Sequence, residues 1–133
     1  MAYESIISDL KNLTVKASDD VDVYGTLSAD EKMIIESGNG TFVERLELAA
    51  ETEITSCDMI YVNAIDSQYA DKVSMTAQDS IFLYHGIKGK EIDLTSDTGT
   101  VYVRGTLEVS EASSNGGSNT GNIVVKAAAD TNI

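Results

Sequence analysis

Two consecutive stretches of the chain, residues 73–91 and 92–109, carry the same order of apolar residues, and equivalent positions lie 19 or 20 residues apart. Within each stretch apolar and polar residues alternate with a period of two, which indicates short β-strands. Repetition at a fixed period near twenty residues indicates a solenoid, in which each repeat forms one turn and covers the apolar edge of the turn before it. The matched positions are Val73/Ile92, Met75/Leu94, Ile81/Val101, Leu83/Val103 and Ile87/Leu107.

The same order of strands continues through most of the chain. We place first strands from Leu13, Met33, Ile54, Val73, Ile92 and Ile123, second strands from Val21, Thr41, Ile60, Ile81 and Val101, and third strands at Leu27, Leu46, Ile65, Ile87 and Leu107. An antiparallel sandwich also has short strands at regular spacing, but it gives no reason for equivalent strands to match in both residue type and distance. We therefore predict an all-β, single-domain, right-handed parallel β-helix (a β-solenoid) of about five to six turns over residues 13–133.

Small residues mark the positions where the chain must bend. They follow the first strands at Ala17, Ser37, Ala77, Ser96 and Ala127, and the second strands at Gly25, Ala64, Gly86 and Gly105. Residues 110–122 are rich in Ser, Gly and Asn and precede Ile123, where the sixth predicted turn begins. This composition is typical of a loop, so we expect a segment extruded from the solenoid there.

Residues 1–12 do not follow the period. Apolar residues spaced i, i+3, i+4 and i+7 predict a short amphipathic helix whose apolar face holds Tyr3, Ile6, Ile7 and Leu10. A helix this short is marginal alone, so we expect it to cap the open end of the solenoid. Because the ends of a β-helix carry unpaired backbone groups that recruit other strands, the candidate axial contact residues are Ile6, Ile7, Leu10, Ile123 and Val125.

Charge and composition exclude several classes of partner. The 133 residues include 9 Lys and Arg against 22 Asp and Glu, and the net charge of −13 repels nucleic acid and anionic membranes. Proline is absent, which suits a chain whose backbone amides donate to long ladders, and the single cysteine excludes an internal disulfide. No apolar run approaches a membrane span, and the first residues lack the regions of a signal peptide. We expect neither a nucleic-acid partner nor membrane insertion.

A catalytic or metal site needs converging polar groups, and the sequence offers few. His85 is the only histidine, and its spacing identifies no nucleophile or carboxylate partner, so we expect a solvated corner residue. Cys57 takes an outward position with no evident neighbouring base. The calcium-binding repeat G-G-x-G-x-D is absent, and the aspartates do not fall into a cross-turn cluster. We therefore expect no enzymatic activity, no catalytic residues, no cofactor and no metal site.

The most informative outward feature is aromatic. The register places Asp22, Phe42, Tyr61, Phe82 and Tyr102 in one column, with Tyr24 and Tyr84 one strand position away. Such rings either stabilise the ladder by stacking or form a contact face for a neighbouring subunit or a sugar. We favour a subunit, because no acidic or amide residues visibly accompany the column as sugar-binding partners. The candidate lateral contact residues are Phe42, Tyr61, Phe82, Tyr102, Tyr24 and Tyr84.

Three segments carry a more detailed pattern, L-x-V/L-x-A/S, then V-x-V-x-G, then T-L. They read LTVKASDDVDVYGTL, VSMTAQDSIFLYHG and IDLTSDTGTVYVRGTLEVS. The pattern resembles the repeats of filamentous-haemagglutinin-type bacterial exoproteins, which form right-handed parallel β-helices. Bactofilin-type cytoskeletal polymers, baseplate spikes and phage tailspikes share that architecture. The resemblance covers about residues 13–109 and implies a rod that acts by contact with other molecules.

These features predict a structural protein. We expect a self-associating subunit of a filament, spike or scaffold, whose partner is a second copy of the chain. The alternative is a fragment of a secreted adhesin or effector stalk that acts as a spacer or receptor-binding rod. A third hypothesis is a carbohydrate-binding module that uses the aromatic column, although no further residues support a glycan partner.

Overall fold

The fold is a solenoid built almost entirely from β-strands. The computed structural model describes residues 2–3, 11–66, 70–109 and 122–133. The strands are β1 (Ala2–Tyr3), β2 (Asn12–Ala17), β3 (Val21–Ser28), β4 (Lys32–Ser37), β5 (Thr41–Glu47), β6 (Glu51–Ser56), β7 (Ile60–Asp66), β8 (Ala70–Ala77), β9 (Ile81–Leu83), β10 (Ile87–Ser96), β11 (Val101–Val103), β12 (Leu107–Val109), β13 (Asn122–Ala127) and β14 (Thr131–Asn132).

Strands from successive turns stack into two parallel sheets. The first sheet has the order β1-β3-β5-β7-β9-β11-β14, and the second has the order β12-β10-β8-β6-β4-β2, with β13 also pairing with β10. Every strand pair among the described residues is parallel. The chain therefore forms a parallel β-solenoid of about five turns, which confirms the fold class predicted from the period.

The pairing register agrees with the predicted first-strand columns except in the third turn. Ile92 pairs with Val73 on one side and with Ile123 on the other, as the sequence predicts. The prediction that Ile54 begins the third turn is wrong by two residues, because Thr52 pairs with Met33. Thr52 is buried, and its hydroxyl accepts the amide hydrogen of Ala49 at 3.0 Å. That local hydrogen bond lets a polar residue occupy an inward position that pattern reasoning reserves for apolar side chains.

The predicted division of each turn into three strands holds only in part. In β3, β5 and β7 the second and third predicted strands form one continuous strand, so the corners expected at Gly25 and Ala64 lie inside strands. Corners are observed at Gly86 and Gly105, which lie between strands in successive turns. Gly105 has a φ of +145°, a conformation that favours glycine, and a side chain there would meet the Gly86 backbone.

The core between the sheets is aliphatic. Inward positions of successive turns stack in columns, and their burial contributes about 25 cal/mol for each Å² of apolar surface removed from water. Aromatic residues are absent from the buried residues that the structure describes. The largest fully buried side chains are Leu27, Met33, Ile35, Leu46, Ile54, Ile60, Ile65, Met75, Ile81, Leu83, Ile87 and Ile92.

A column of small residues lines the corner after the second sheet. Its members pair in register as Ala17, Ser37, Ser56, Ala77, Ser96 and Ala127. The Ser37 hydroxyl lies 2.8 Å from the carbonyl oxygen of Asp19 in the preceding turn and 2.7 Å from that of Gly40. The Ser56 hydroxyl has equivalent acceptors in Asn39, at 2.5 Å, and Met59, at 3.0 Å. The corner serines therefore hold consecutive turns together through hydrogen bonds to the backbone.

We expect Ser56→Ala to lower the free energy of unfolding by about 1–2 kcal/mol, because the corner loses the one hydroxyl hydrogen that the carbonyl oxygens of Asn39 and Met59 can accept. Ser74→Ala is the matched control, since Ser74 points outward on β8 and is half-buried; its effect should stay below about 0.5 kcal/mol. Urea unfolding followed by circular dichroism measures both values. Equal losses would show that the corner hydroxyl contributes nothing beyond its packing.

The predicted N-terminal helix lies largely outside the described residues. Ala2–Tyr3 pair as a strand with Asp22–Val23, so Tyr3 is not on a helix, and β2 already begins at Asn12. Residues 4–10, with the candidate contacts Ile6, Ile7 and Leu10, are not described, nor is the loop expected over residues 110–122 except for Asn122, which begins β13. Within the described ranges no helix is long and apolar enough to cross a membrane.

Candidate functional site

All aromatic side chains that the structure describes lie on the outer surface of the first sheet. The register places Phe42, Tyr61, Phe82 and Tyr102 at equivalent positions of successive turns, with Asp22 above them. Inward neighbours in the same strands are buried, and all but Thr41 are aliphatic, so alternation sends the rings of these strands outward. We call this surface the aromatic face; its rings are Tyr24, Phe42, Tyr61, Phe82, Tyr84 and Tyr102.

The rings form a continuous ladder. Ring centroids lie 5.4 Å apart for Tyr24–Phe42, 5.3 Å for Phe42–Tyr61, 5.0 Å for Tyr61–Tyr84 and 5.7 Å for Tyr84–Tyr102. All of these distances fall in the range of favourable aromatic pairs, and the planes are tilted by 30–52°. The ladder therefore stabilises the stacked turns and also presents ring surface to solvent.

The path of the ladder differs from a single column. Tyr61 contacts the ring of Tyr84, while Phe82, its backbone partner, contacts Tyr102 at a centroid distance of 6.4 Å. The amide of Tyr84 donates to the carbonyl oxygen of Val62 at 3.0 Å, which keeps Tyr84 beside the turn that carries Tyr61. Tyr24 is 51% exposed and forms the most open end of the face.

One edge of the aromatic face is acidic in all but one of its corners, residues 38–40. The corners that precede the strands of the first sheet, residues 18–20, 38–40, 57–59, 78–80, 97–100 and 128–130, contain no Lys or Arg. Because all strands of the sheet are parallel, these corners stack along the same edge. The negative charges of their carboxylates therefore accumulate at that edge and do not alternate between the two edges. We call this the acidic edge; its carboxylates belong to Asp19, Asp20, Asp58, Asp79, Asp97 and Asp130.

Carboxylates and rings meet in a shallow groove at the first three turns. Its lining includes Asp20, Asp22, Asp58, Phe42, Met59 and Tyr61. Met59 is 38% exposed, so the groove floor is partly apolar. One Asp20 oxygen accepts hydrogen bonds from the Asn39 side chain at 2.9 Å and the Gly40 amide at 3.0 Å, which fixes that carboxylate. Acidic residues therefore do accompany the rings in this groove, although the sequence pattern identifies none as a sugar-binding partner.

The opposite edge of the face has a mixed charge. Arg45 Nη1 donates to both carboxylate oxygens of Asp66 at 2.9 Å, across one solenoid turn. The hydrogen bond to Asp66, followed by its charge, raises the pKa of Arg45 above its ordinary value. Further along, Arg104 follows β11 and is exposed, while Lys88 lies 4.0 Å from Glu108 on the paired strands β10 and β12 of the second sheet. The face thus separates an acidic edge from one that carries both signs.

The residues considered for chemistry remain apart. His85 is exposed, with Nδ1 3.0 Å from the carbonyl oxygen of Gly86, and Cys57 is an exposed free thiol at another corner. In the parts of the chain that the structure describes, no three His, Cys, Asp or Glu residues are placed to hold a metal ion.

The last turn of the solenoid exposes apolar side chains at its end. Ile123 is 40% exposed although it pairs in register with the buried Ile92, whereas the adjacent Val124, 38% exposed, pairs with Asp93 and points to the outer face of the second sheet. Val125 is half-buried, and Val109 and Ile133 are also exposed. No strand among the described residues pairs with the outer edge of β13 or β14. Two surfaces therefore remain candidates for contact with other molecules, the aromatic face and this terminal turn.

Comparison with protein-family models, with curated proteins and with solved structures finds no match in any of the three. The parallel pairing agrees with a β-helix repeat, while no family match supports the filamentous-haemagglutinin type in particular. What the chain shares with those exoproteins is therefore the solenoid architecture.

Proposed function

We propose that this protein is a non-catalytic structural subunit that associates end to end with further copies of itself. The observation that carries the proposal is the terminal turn, where apolar side chains of β13 are exposed beside a strand edge that no described strand covers. An uncovered edge of a parallel sheet presents a row of backbone donors and acceptors that another strand satisfies. A contact of this kind between unlike ends does not close on itself and produces a filament.

A second copy is the occupant that the sequence of the two ends favours. The inward residues of β13, Ile123, Val125 and Ala127, match those of β2, Leu13, Val15 and Ala17, in type and spacing. Leu13 is only partly buried, so the first turn also has apolar surface to cover. Stacking one end on the other would extend aliphatic columns that run through the whole solenoid.

Charge also favours contact at the ends. Two chains with a net charge of −13 repel one another over most of their surfaces. The terminal strands are exceptions, because β2 and β13 each contain one lysine and no acidic residue. End-to-end contact therefore brings together the two strands of the second sheet where acid–acid repulsion is smallest.

We expect Ile123→Lys to weaken end-to-end association by about tenfold or more, because it places an ammonium group in the apolar contact. Val124→Lys is the matched control, since it changes the adjacent, equally exposed residue, whose side chain points outward above Asp93. Sedimentation velocity over a range of protein concentrations measures association, and negative-stain microscopy shows the particle shape. Rods that lengthen with concentration, and shorten only in the Ile123 variant, support the proposal. A wild-type chain that stays monomeric throughout would contradict it.

A further inference from the structure

We propose that the aromatic face and its acidic edge together bind an extended, arginine-rich segment of a partner protein. This inference concerns a surface along the side of the solenoid, so it goes beyond end-to-end association and does not depend on it. The proposal rests on the negative charge of the edge, on the spacing of the rings, and on the electrostatic repulsion that a second copy of the chain would meet at this surface.

The acidic edge offers a repeated site for cations. Stacked strands are about 4.8 Å apart, so carboxylates on adjacent turns, such as Asp58 and Asp79, recur at a spacing of that order. Asp22 extends the negative charge onto the face itself, directly above Phe42 in the register. With no Lys or Arg in the stacked corners, the potentials of these groups reinforce one another.

The ring ladder favours arginine among cations. A guanidinium stacks on an aromatic face, and a cation above a tyrosine or phenylalanine gains further electrostatic attraction. Tyr61 lies between the rings of Phe42 and Tyr84, with centroids at 5.3 Å and 5.0 Å, and lines the groove that holds Asp22 and Asp58. An arginine there would place its planar group on a ring within reach of a carboxylate. The exposed Met59 supplies apolar surface for the side-chain stem.

A second copy fits this surface less well. It would bring another net charge of −13, and Arg45, a cation of its mixed edge, is already held by Asp66. Face-to-face pairing of two copies would consequently strengthen as salt screens their repulsion, whereas an arginine-rich partner would bind more weakly in salt. A neutral glycan would respond little to salt. The sign of the salt dependence separates the three occupants.

The experiment measures binding of a fluorescein-labelled nona-arginine peptide by fluorescence anisotropy, in the Ile123→Lys background so that end-to-end association does not contribute. Neutralising two carboxylates at the groove, Asp22→Asn with Asp58→Asn, should weaken binding about tenfold. Removing the same charge from the second sheet, Glu53→Gln with Glu91→Gln, is the matched control and should change binding less than about twofold. Both control residues are exposed and point away from the aromatic face.

A ring variant completes the test. Tyr61→Ser should weaken nona-arginine binding several-fold and reduce the preference for nona-arginine over nona-lysine, because the stacking surface is lost. Equal weakening by the two carboxylate pairs would mean that the peptide responds only to net charge, and would overturn the proposal. So would tighter binding at higher salt, or an unchanged arginine preference in the Tyr61 variant.

Discussion

Gly38→Ala is expected to lower the free energy of unfolding by about 3 kcal/mol, whereas Gly40→Ala, two residues away, should change it by less than about 0.5 kcal/mol. A Cβ atom on Gly38 would overlap the carbonyl group of Ser18 in the preceding turn. Backbone cannot move aside as a side-chain end can, so the stacked corners would have to separate. The same atom on Gly40 would lie 3.5 Å from an Asp20 oxygen, which is ordinary contact.

The two glycine variants are compared by urea unfolding followed by circular dichroism. Replacing glycine by alanine restricts the unfolded chain equally at both positions, so the difference between the variants isolates the contact with Ser18. If both substitutions were tolerated, corners 20 residues apart in sequence would not lie directly on one another, and the stacking of the first two turns would be wrong.

Ile35→Ala should cost about 3–4 kcal/mol of stability, and Ile34→Ala less than about 1 kcal/mol. The two residues are adjacent, identical and on the same strand, β4. Ile35 is fully buried between Val15 and Ile54 of the neighbouring turns, while Ile34 points outward between Thr14 and Glu53 and is half-buried. Truncating Ile35 leaves a cavity in the aliphatic column, and truncating Ile34 removes only surface packing.

Thermal and urea unfolding of both isoleucine variants provide the measurement. Because the chemical change is the same, helix or strand propensity cannot account for a difference between them. Similar losses for the two variants, or a larger loss for Ile34, would show that β4 presents its other face to the core.

The stacking of the solenoid could be predicted from the sequence, because the repeat period and the alternation of apolar and polar residues act together. Alternation decides which residues of Ile81–Leu83 point inward, and the period decides that Val101–Val103 lies above them, as the register shows. The inward position of Thr52 was not predicted, because its hydroxyl forms a hydrogen bond with the backbone of Ala49 and so makes a buried polar residue compatible with the column. Pattern reasoning does not detect such local hydrogen bonds.

The candidate site could be predicted from the sequence only in part. Alternation places Phe42, Tyr61 and Tyr102 on one outer surface, but the choice between Phe82 and Tyr84 as the ring beside Tyr61 depends on side-chain packing. The acidic edge was missed because its residues lie in corners, outside the strand pattern. An available signal was the acid within the few residues before most strands of the first sheet, combined with parallel pairing that collects those positions at one edge.

Parallel pairing therefore links the fold to both proposed contacts. Since each strand crosses the first sheet in the same direction, the aspartates before most of its strands collect at one edge, and the outward rings of successive turns collect on one face. The two ends of the solenoid differ from its sides because their strands lack a neighbouring turn on one side among the described residues. Repetition thus produces continuous surfaces along the sides of the solenoid, and its ends are where we propose further stacking.

The most direct test of the parallel solenoid is a nuclear Overhauser experiment on the wild-type chain, centred on Thr76. Thr76 pairs with Thr55 on one side and with Thr95 on the other, 21 and 19 residues away in sequence. Parallel stacking predicts backbone amide-to-α-proton contacts from the Thr76 region to both of these strands. Strong α-proton to α-proton contacts, which mark antiparallel neighbours, or contacts to only one of the two strands, would contradict the solenoid.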